Sequence, residues 1–99
     1  MRNYSELLNR KRREYGEKFD PSDLAEQFRP YFGTGQRIKV NFGHEVVTGT
    51  VGVTTGWKPG FLLMRRIDSI GSSYLLSKSD KIEAVKVGNK YINTNGGTK

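Results

Sequence analysis

The stretch Arg37-Ile38-Lys39-Val40-Asn41-Phe42 alternates polar and apolar residues, and its period decides the fold. Successive side chains of an extended strand point to opposite faces. Ile38, Val40 and Phe42 therefore share one face, and Arg37, Lys39 and Asn41 share the other. Gly43-His44 reads as a turn. Residues 45–55 follow as a second strand, rich in Val and Thr and punctuated by Gly49 and Gly52, where a strand bends or bulges. Gly56-Trp57-Lys58-Pro59-Gly60 is a loop. Residues 61–66 form a third strand, apolar on both faces and hence central. A loop with Gly71 leads to a fourth strand at Tyr74-Leu75-Leu76. Ser77-Lys78-Ser79-Asp80 reads as one helical turn, closed by Asp80. Residues 82–87 make a fifth strand, and Gly88-Asn89 turns tightly into Lys90-Tyr91-Ile92. Residues 93–99 hold no apolar side chain and read as a frayed tail.

Upstream of residue 36 the period is helical. Residues 3–15 predict a helix with Tyr4, Leu7, Leu8, Lys11 and Tyr15 on one stripe and Arg10, Arg12 and Arg13 opposite. Gly16 stands where a left-handed cap is expected. Asp20-Pro21-Ser22-Asp23 starts a second helix, with an N-cap acid and proline at the first helical position. Leu24, Ala25 and Phe28 supply its apolar stripe, with Phe32 as a further candidate. Pro30 limits it to about two turns by disfavouring helical geometry at Arg29, and Gly33-Thr34-Gly35 ends it. Six of the eleven aromatic residues lie in residues 4–32, which argues that this segment packs rather than trails.

The expected class is therefore α+β: two short N-terminal helices (1–35), a five-stranded antiparallel small barrel (36–92) and a flexible tail (93–99). The pattern strand, turn, bulged strand, loop, strand, strand, short 3-10 turn, strand resembles the SH3-like barrels over residues 37–92. The acidic first loop and paired aromatics of the proline-peptide-binding SH3 domains are absent. The run 54–66 followed by Gly71-Ser72-Ser73 is similar to small uncharacterised proteins of actinobacterial phages. That resemblance implies an accessory protein working in the host cytoplasm and implies no particular activity.

Composition narrows the chemistry. The 99 residues are 34 % apolar and 27 % charged and contain no cysteine, so disulfides, thiolate nucleophiles and cysteine zinc sites are excluded. No apolar run approaches the roughly 18–20 residues of a membrane span, and the N-terminal residues lack a signal-like apolar region, so a cytoplasmic protein without membrane partners is expected. The net charge of +7 is uneven: +3 over residues 1–15, −2 over 16–35, +4 over 36–66 and +2 over 67–99. Two basic zones flanking one acidic stretch favour a polyanionic partner, although a solvated, solubilising surface has the same composition.

The candidate binding residues follow from the charge. Arg37 and Lys39 line the outward face of the first strand with Asn41. Arg65 and Arg66 end the third strand, and neighbours in a strand point oppositely, so one joins the binding face while the other pairs with Asp68 or Asp80. Trp57 with Lys58 offers a base-stacking ring beside a phosphate contact, or else a lid on the barrel. Arg12 and Arg13 belong to the densest basic cluster, yet four consecutive helical residues spread over roughly 300° and form no single stripe. The segment 49–56 lacks the Gly-Lys-Ser/Thr ending of a phosphate loop. His44, the only histidine, sits in a turn without a nucleophile or orienting acid. A non-enzymatic module without a cofactor is expected, contacting nucleic acid. A protein-interaction module using the aromatic N-terminal segment and Trp57 is the alternative, self-association included.

Overall fold

The computed structural model describes residues 4–43, 45–53, 61–68 and 72–94. Strand β1 (Arg37–Asn41) sits in the middle of the sheet, between β2 (Val46–Val53) and β5 (Lys81–Val87). Strand β3 (Leu62–Arg66) pairs with β2, β4 (Ser73–Leu75) with β3, and β6 (Lys90–Asn93) with β5, all antiparallel. The order β4-β3-β2-β1-β5-β6 gives six strands rather than five, and β4 and β6 are edges that do not pair with each other. Among the described residues the expected five-stranded small barrel is therefore a six-stranded sheet that does not close. The added strand comes from the hairpin at Gly88, whose φ of +65° suits a tight two-residue turn. Asn93 and Thr94 are not frayed: Asn93 ends β6, and the buried Thr94 hydroxyl donates to the Ile82 carbonyl.

The alternation in β1 is realised as read. Ile38 and Val40 are fully buried, and they meet Val47, Val51, Met64, Tyr74, Ile82 and Val85 in one core. Between Ile82 and Ala84, β5 carries an extra residue opposite Lys39/Val40, a bulge that puts Glu83 on the outer side. Gly49 lies on the inner face, where a Cβ would stand 1.9 Å from the Met64 sulfur and 2.4 Å from the Arg65 carbonyl oxygen.

The N-terminal segment covers the inner face. Phe19, Leu24, Phe28 and Phe32 are all in the core cluster, and the Phe19 and Phe32 rings lie 5.2 Å apart. The second helix is two 3-10 segments, Pro21–Asp23 and Glu26–Tyr31. Pro30 cannot sit in an α-helix interior without clashing with the carbonyl four residues back. The chain adopts i→i+3 bonds instead, Phe28 N–H to Ala25 O (2.9 Å) and Phe32 N–H to Arg29 O (3.2 Å). Asp20 caps the first segment by accepting from Ser22 N–H at 3.0 Å, as its position predicts. Arg29 ties the two together, donating to the carbonyls of Leu24 (2.9 Å) and Ser22 (2.8 Å).

Helix α1 (Tyr4–Tyr15) turns only part of the expected stripe inward: Leu8 packs against the core, but the rest of the inward face is polar. Leu7 and Tyr15 are 46 % and 80 % exposed, while polar Asn9 and Arg12 point at the sheet. The cause is the surface α1 packs on, which is the edge strand β4. An edge presents unpaired backbone groups that need hydrogen-bonding partners. The Asn9 amide donates to the Ser73 carbonyl at 2.7 Å and its oxygen accepts Leu75 N–H at 2.6 Å, imitating a neighbouring strand. Arg12 donates to the Leu75 carbonyl. Beyond α1 the chain continues along the same edge: Phe19 N–H donates to Leu76 O (3.3 Å) and Lys78 N–H to Glu17 O (3.0 Å). Gly16 lacks a left-handed φ; its N–H donates to Arg12 O at 2.8 Å, and a Cβ there would press on the Arg12 backbone at 3.0 Å.

Candidate nucleic-acid interface

With one face and the β4 edge of the sheet occupied by the N-terminal segment, the outer face is the large surface left. Thr50 of β2 pairs with Arg37 of β1 on one side and with Arg65 of β3 on the other. The two arginines thus stand in one row, about 10 Å apart across two strand spacings. Both are exposed, and among the described residues neither meets a carboxylate. Next along the row is Lys86 of β5, one step beyond the pair Ile38/Val85, and then Tyr91 of β6, directly opposite Lys86. Lys39, two residues along β1, reaches the same ring: its ammonium lies 4.6 Å from the Tyr91 centroid, and that of Lys86 lies 6.0 Å away.

Four cations therefore share one face, and two of them, Lys39 and Lys86, stand against a single half-buried tyrosine. Like charges held this close oppose folding. At the far end of β1, Asn41 donates to Glu83 at 3.1 Å and pairs opposite Lys81, so among the described strand residues the outer face carries one carboxylate against five cations.

A shallow cleft opens beside Arg65. It measures about 350 Å³ and is lined by Thr34, Gly35, Thr50, Gly52, Leu63 and Arg65, with Val51 beneath. Gly52 and Leu63 pair directly across β2 and β3. The absent side chain at Gly52 leaves the floor open, and a Cβ there would meet only the Leu63 side chain, its Cδ1 at 3.3 Å.

The remaining candidates sort differently. Arg66 points away from Arg65, as strand alternation requires, and donates to Glu45 (2.8 Å), Asp68 and the Tyr74 hydroxyl (2.9 Å). Its hydrogen bonds to Asp68 and Glu45 raise its pKa further, and the Asp68 carboxyl is held below its ordinary value chiefly by that same contact. Arg66 is thus the structural member of the pair. Arg12 is no surface cation. It is 8 % exposed, ion-paired through both terminal nitrogens to buried Asp80, bonded to the Leu75 carbonyl and set 5.4 Å over the Phe42 ring. Both its terminal nitrogens are engaged inside the fold. Arg13 is half-buried on α1. Trp57 and Lys58 lie in residues 54–60, and His44 likewise lies outside the described residues. Asp80 accepts Ser77 N–H at 2.8 Å and closes the turn before β5, as its position predicts.

Lys86 and Tyr91 were not among the expected binding residues. The only signal for them is the two-residue alternation of β5 and β6, which puts both outward once the hairpin register is known. The phenylalanines that motivated a protein-binding segment are consumed in the chain's own core, and α1 packs on its own β4. Among the described residues no group of three or more His, Asp or Glu side chains is placed to hold a metal ion, and no helix is long and apolar enough to cross a membrane. No family model, curated protein or solved structure matches the chain.

Proposed function

We propose that this protein is a small, basic, non-enzymatic module that binds nucleic acid on the outer face of its sheet, through Arg37, Lys39, Arg65 and Lys86. The observation that carries the proposal is the arrangement of these four side chains. They come to one face from three strands, while the 3-10 segments that carry Asp23 and Glu26 cover the other face. A merely solubilising charge has no need of that convergence, because scattered cations avoid the mutual repulsion. A polyanion relieves it and releases its own counterions. The meander β1–β4 with β5 returning beside β1 supports reading the sheet as an SH3-like arrangement opened by β6. A curved sheet with basic strands is the form in which such folds meet a phosphate backbone.

About four neutralised phosphates give a slope of log K against log salt near −3 to −4, depending on whether the strand is single or paired. Arg37→Ala and Arg65→Ala are each expected to reduce that slope by roughly one phosphate's share, 0.7–0.9, with little effect on thermal stability. Arg10→Ala, on the exposed side of α1, leaves the slope unchanged. Fluorescence anisotropy with labelled oligonucleotides over about 50–200 mM salt reads both quantities. A flat salt dependence, or equal losses from all three substitutions, counts against the outer face.

A further inference from the structure

Resting on that assignment, we infer that the outer face is built for single-stranded nucleic acid, holding one unstacked base in the cleft beside Arg65 and a second on the Tyr91 ring. The two features stand at opposite ends of the cationic row. From β3 to β6 there are four strand spacings, about 19 Å, so a short extended run of nucleotides spans them with its phosphates over Arg37 and Lys86.

The cleft has the chemistry of a base site. Its volume of about 350 Å³ lies in the range of small-ligand clefts. Gly35 and Gly52 leave a flat opening, Leu63 gives an apolar wall, and the Thr34 and Thr50 hydroxyls supply donors and acceptors for a base edge. Arg65 at the rim offers a planar cation for stacking or for the adjoining phosphate. In a duplex the bases are stacked inward and cannot enter. Only a splayed strand can use the space.

At the other end, Lys39 and Lys86 crowd the Tyr91 ring. An exposed cation over a ring is a weak contact, and a base stacked on an aromatic side chain is a stronger one. An arriving base therefore displaces an ammonium from the ring, and the freed lysine turns to the neighbouring phosphate. The exchange keeps both groups in use and depends on an unpaired base. The hydroxyl of Tyr91 has no part in it.

The test compares an oligothymidylate of about 12 nucleotides, within the 4–16 that one small barrel covers, with a mixed-sequence duplex of equal length. The single strand is expected to bind at least about tenfold tighter at the same salt. Gly52→Val fills the cleft from a β-strand position whose neighbour is the flexible end of Leu63. It should cost single-strand affinity about fivefold or more and leave duplex affinity unchanged. Tyr91→Ala should cost a similar factor, and Tyr91→Phe should restore wild-type binding. Circular dichroism of each variant confirms that it is folded, and the Tyr91 pair stands as the test if Gly52→Val is not. Equal affinity for both forms, or single-strand affinity untouched by Gly52→Val and Tyr91→Ala, overturns the single-strand inference while leaving salt-dependent binding in place. No binding of either form at about 50 mM salt overturns the nucleic-acid assignment itself.

Discussion

Asp80→Ala is expected to destabilise the protein by about 3–5 kcal/mol, the cost of leaving a buried charge without its partner. The carboxylate is 3 % exposed at its side chain and receives both terminal nitrogens of Arg12, itself 9 % exposed. It also accepts Ser77 N–H. Its removal strands a guanidinium between the Leu75 carbonyl and the Phe42 ring and opens the turn leading into β5. For a domain of this size the loss is a large share of the roughly 5–15 kcal/mol available, and it lowers Tm by about 12–40 °C. The double variant Arg12→Leu/Asp80→Asn should recover more than half of it. The uncompensated charge is then gone, and the introduced amide oxygen can still accept from Ser77 N–H. Thermal and denaturant unfolding of Arg12→Leu, Asp80→Asn and the double give the coupling directly. A loss below about 1 kcal/mol for Asp80→Ala would place the pair with ordinary surface salt bridges and remove α1's anchor.

Gly49→Ala is the second large effect. The added methyl carbon falls 1.9 Å from the Met64 sulfur and 2.4 Å from the Arg65 carbonyl oxygen, the second of them backbone of the β2–β3 ladder. Met64 is fully buried, so its sulfur moves only by displacing packed neighbours. Overpacking of a filled core costs about 1–3 kcal/mol, and a contact that also displaces strand backbone belongs at or above the top of that range. Gly52→Ala is the paired control. Its Cβ meets only the Leu63 side chain, with Cδ1 at 3.3 Å on the outer face, and stability should change by less than about 1 kcal/mol. Similar unfolding midpoints for the two variants would contradict the close approach of β3 to Gly49.

Much of the sheet was legible because it depends on local alternation. Ile38 and Val40 announce their buried face within six residues, and Asp20-Pro21 announces a helical start within three. Legibility failed where the deciding partner is distant in sequence. The stripe Tyr4, Leu7, Leu8, Lys11, Tyr15 is a sound amphipathic pattern, yet of it Leu8 packs on the core while Leu7 and Tyr15 face outward, because the neighbour of α1 is a strand edge rather than an apolar face. Backbone groups on that edge ask for Asn9 and Arg12, and nothing near residue 9 or 12 says so. Arg12 finds its carboxylate 68 residues away, which is why a buried keystone looked like one more member of a basic cluster. The split between Arg65 and Arg66 was readable from alternation alone, and the choice of which one binds needed the positions of Glu45 and Tyr74. Lys39 over Tyr91 depends on the register across β1, β5 and β6, set in part by the bulge at Glu83.

The most direct test of the central claim, that the outer sheet face is the nucleic-acid surface, is an NMR titration. The ¹⁵N-labelled protein is followed at about 50 mM salt while oligothymidylate is added. Amide shifts should concentrate at Arg37, Lys39, Thr50, Arg65, Lys86 and Tyr91 and fade as salt is raised. The amides of α1 and of the two 3-10 segments should stay in place. Shifts gathered instead around Lys11 and Tyr15, with β1 and β3 unmoved, would contradict the account and put the binding surface on the helix.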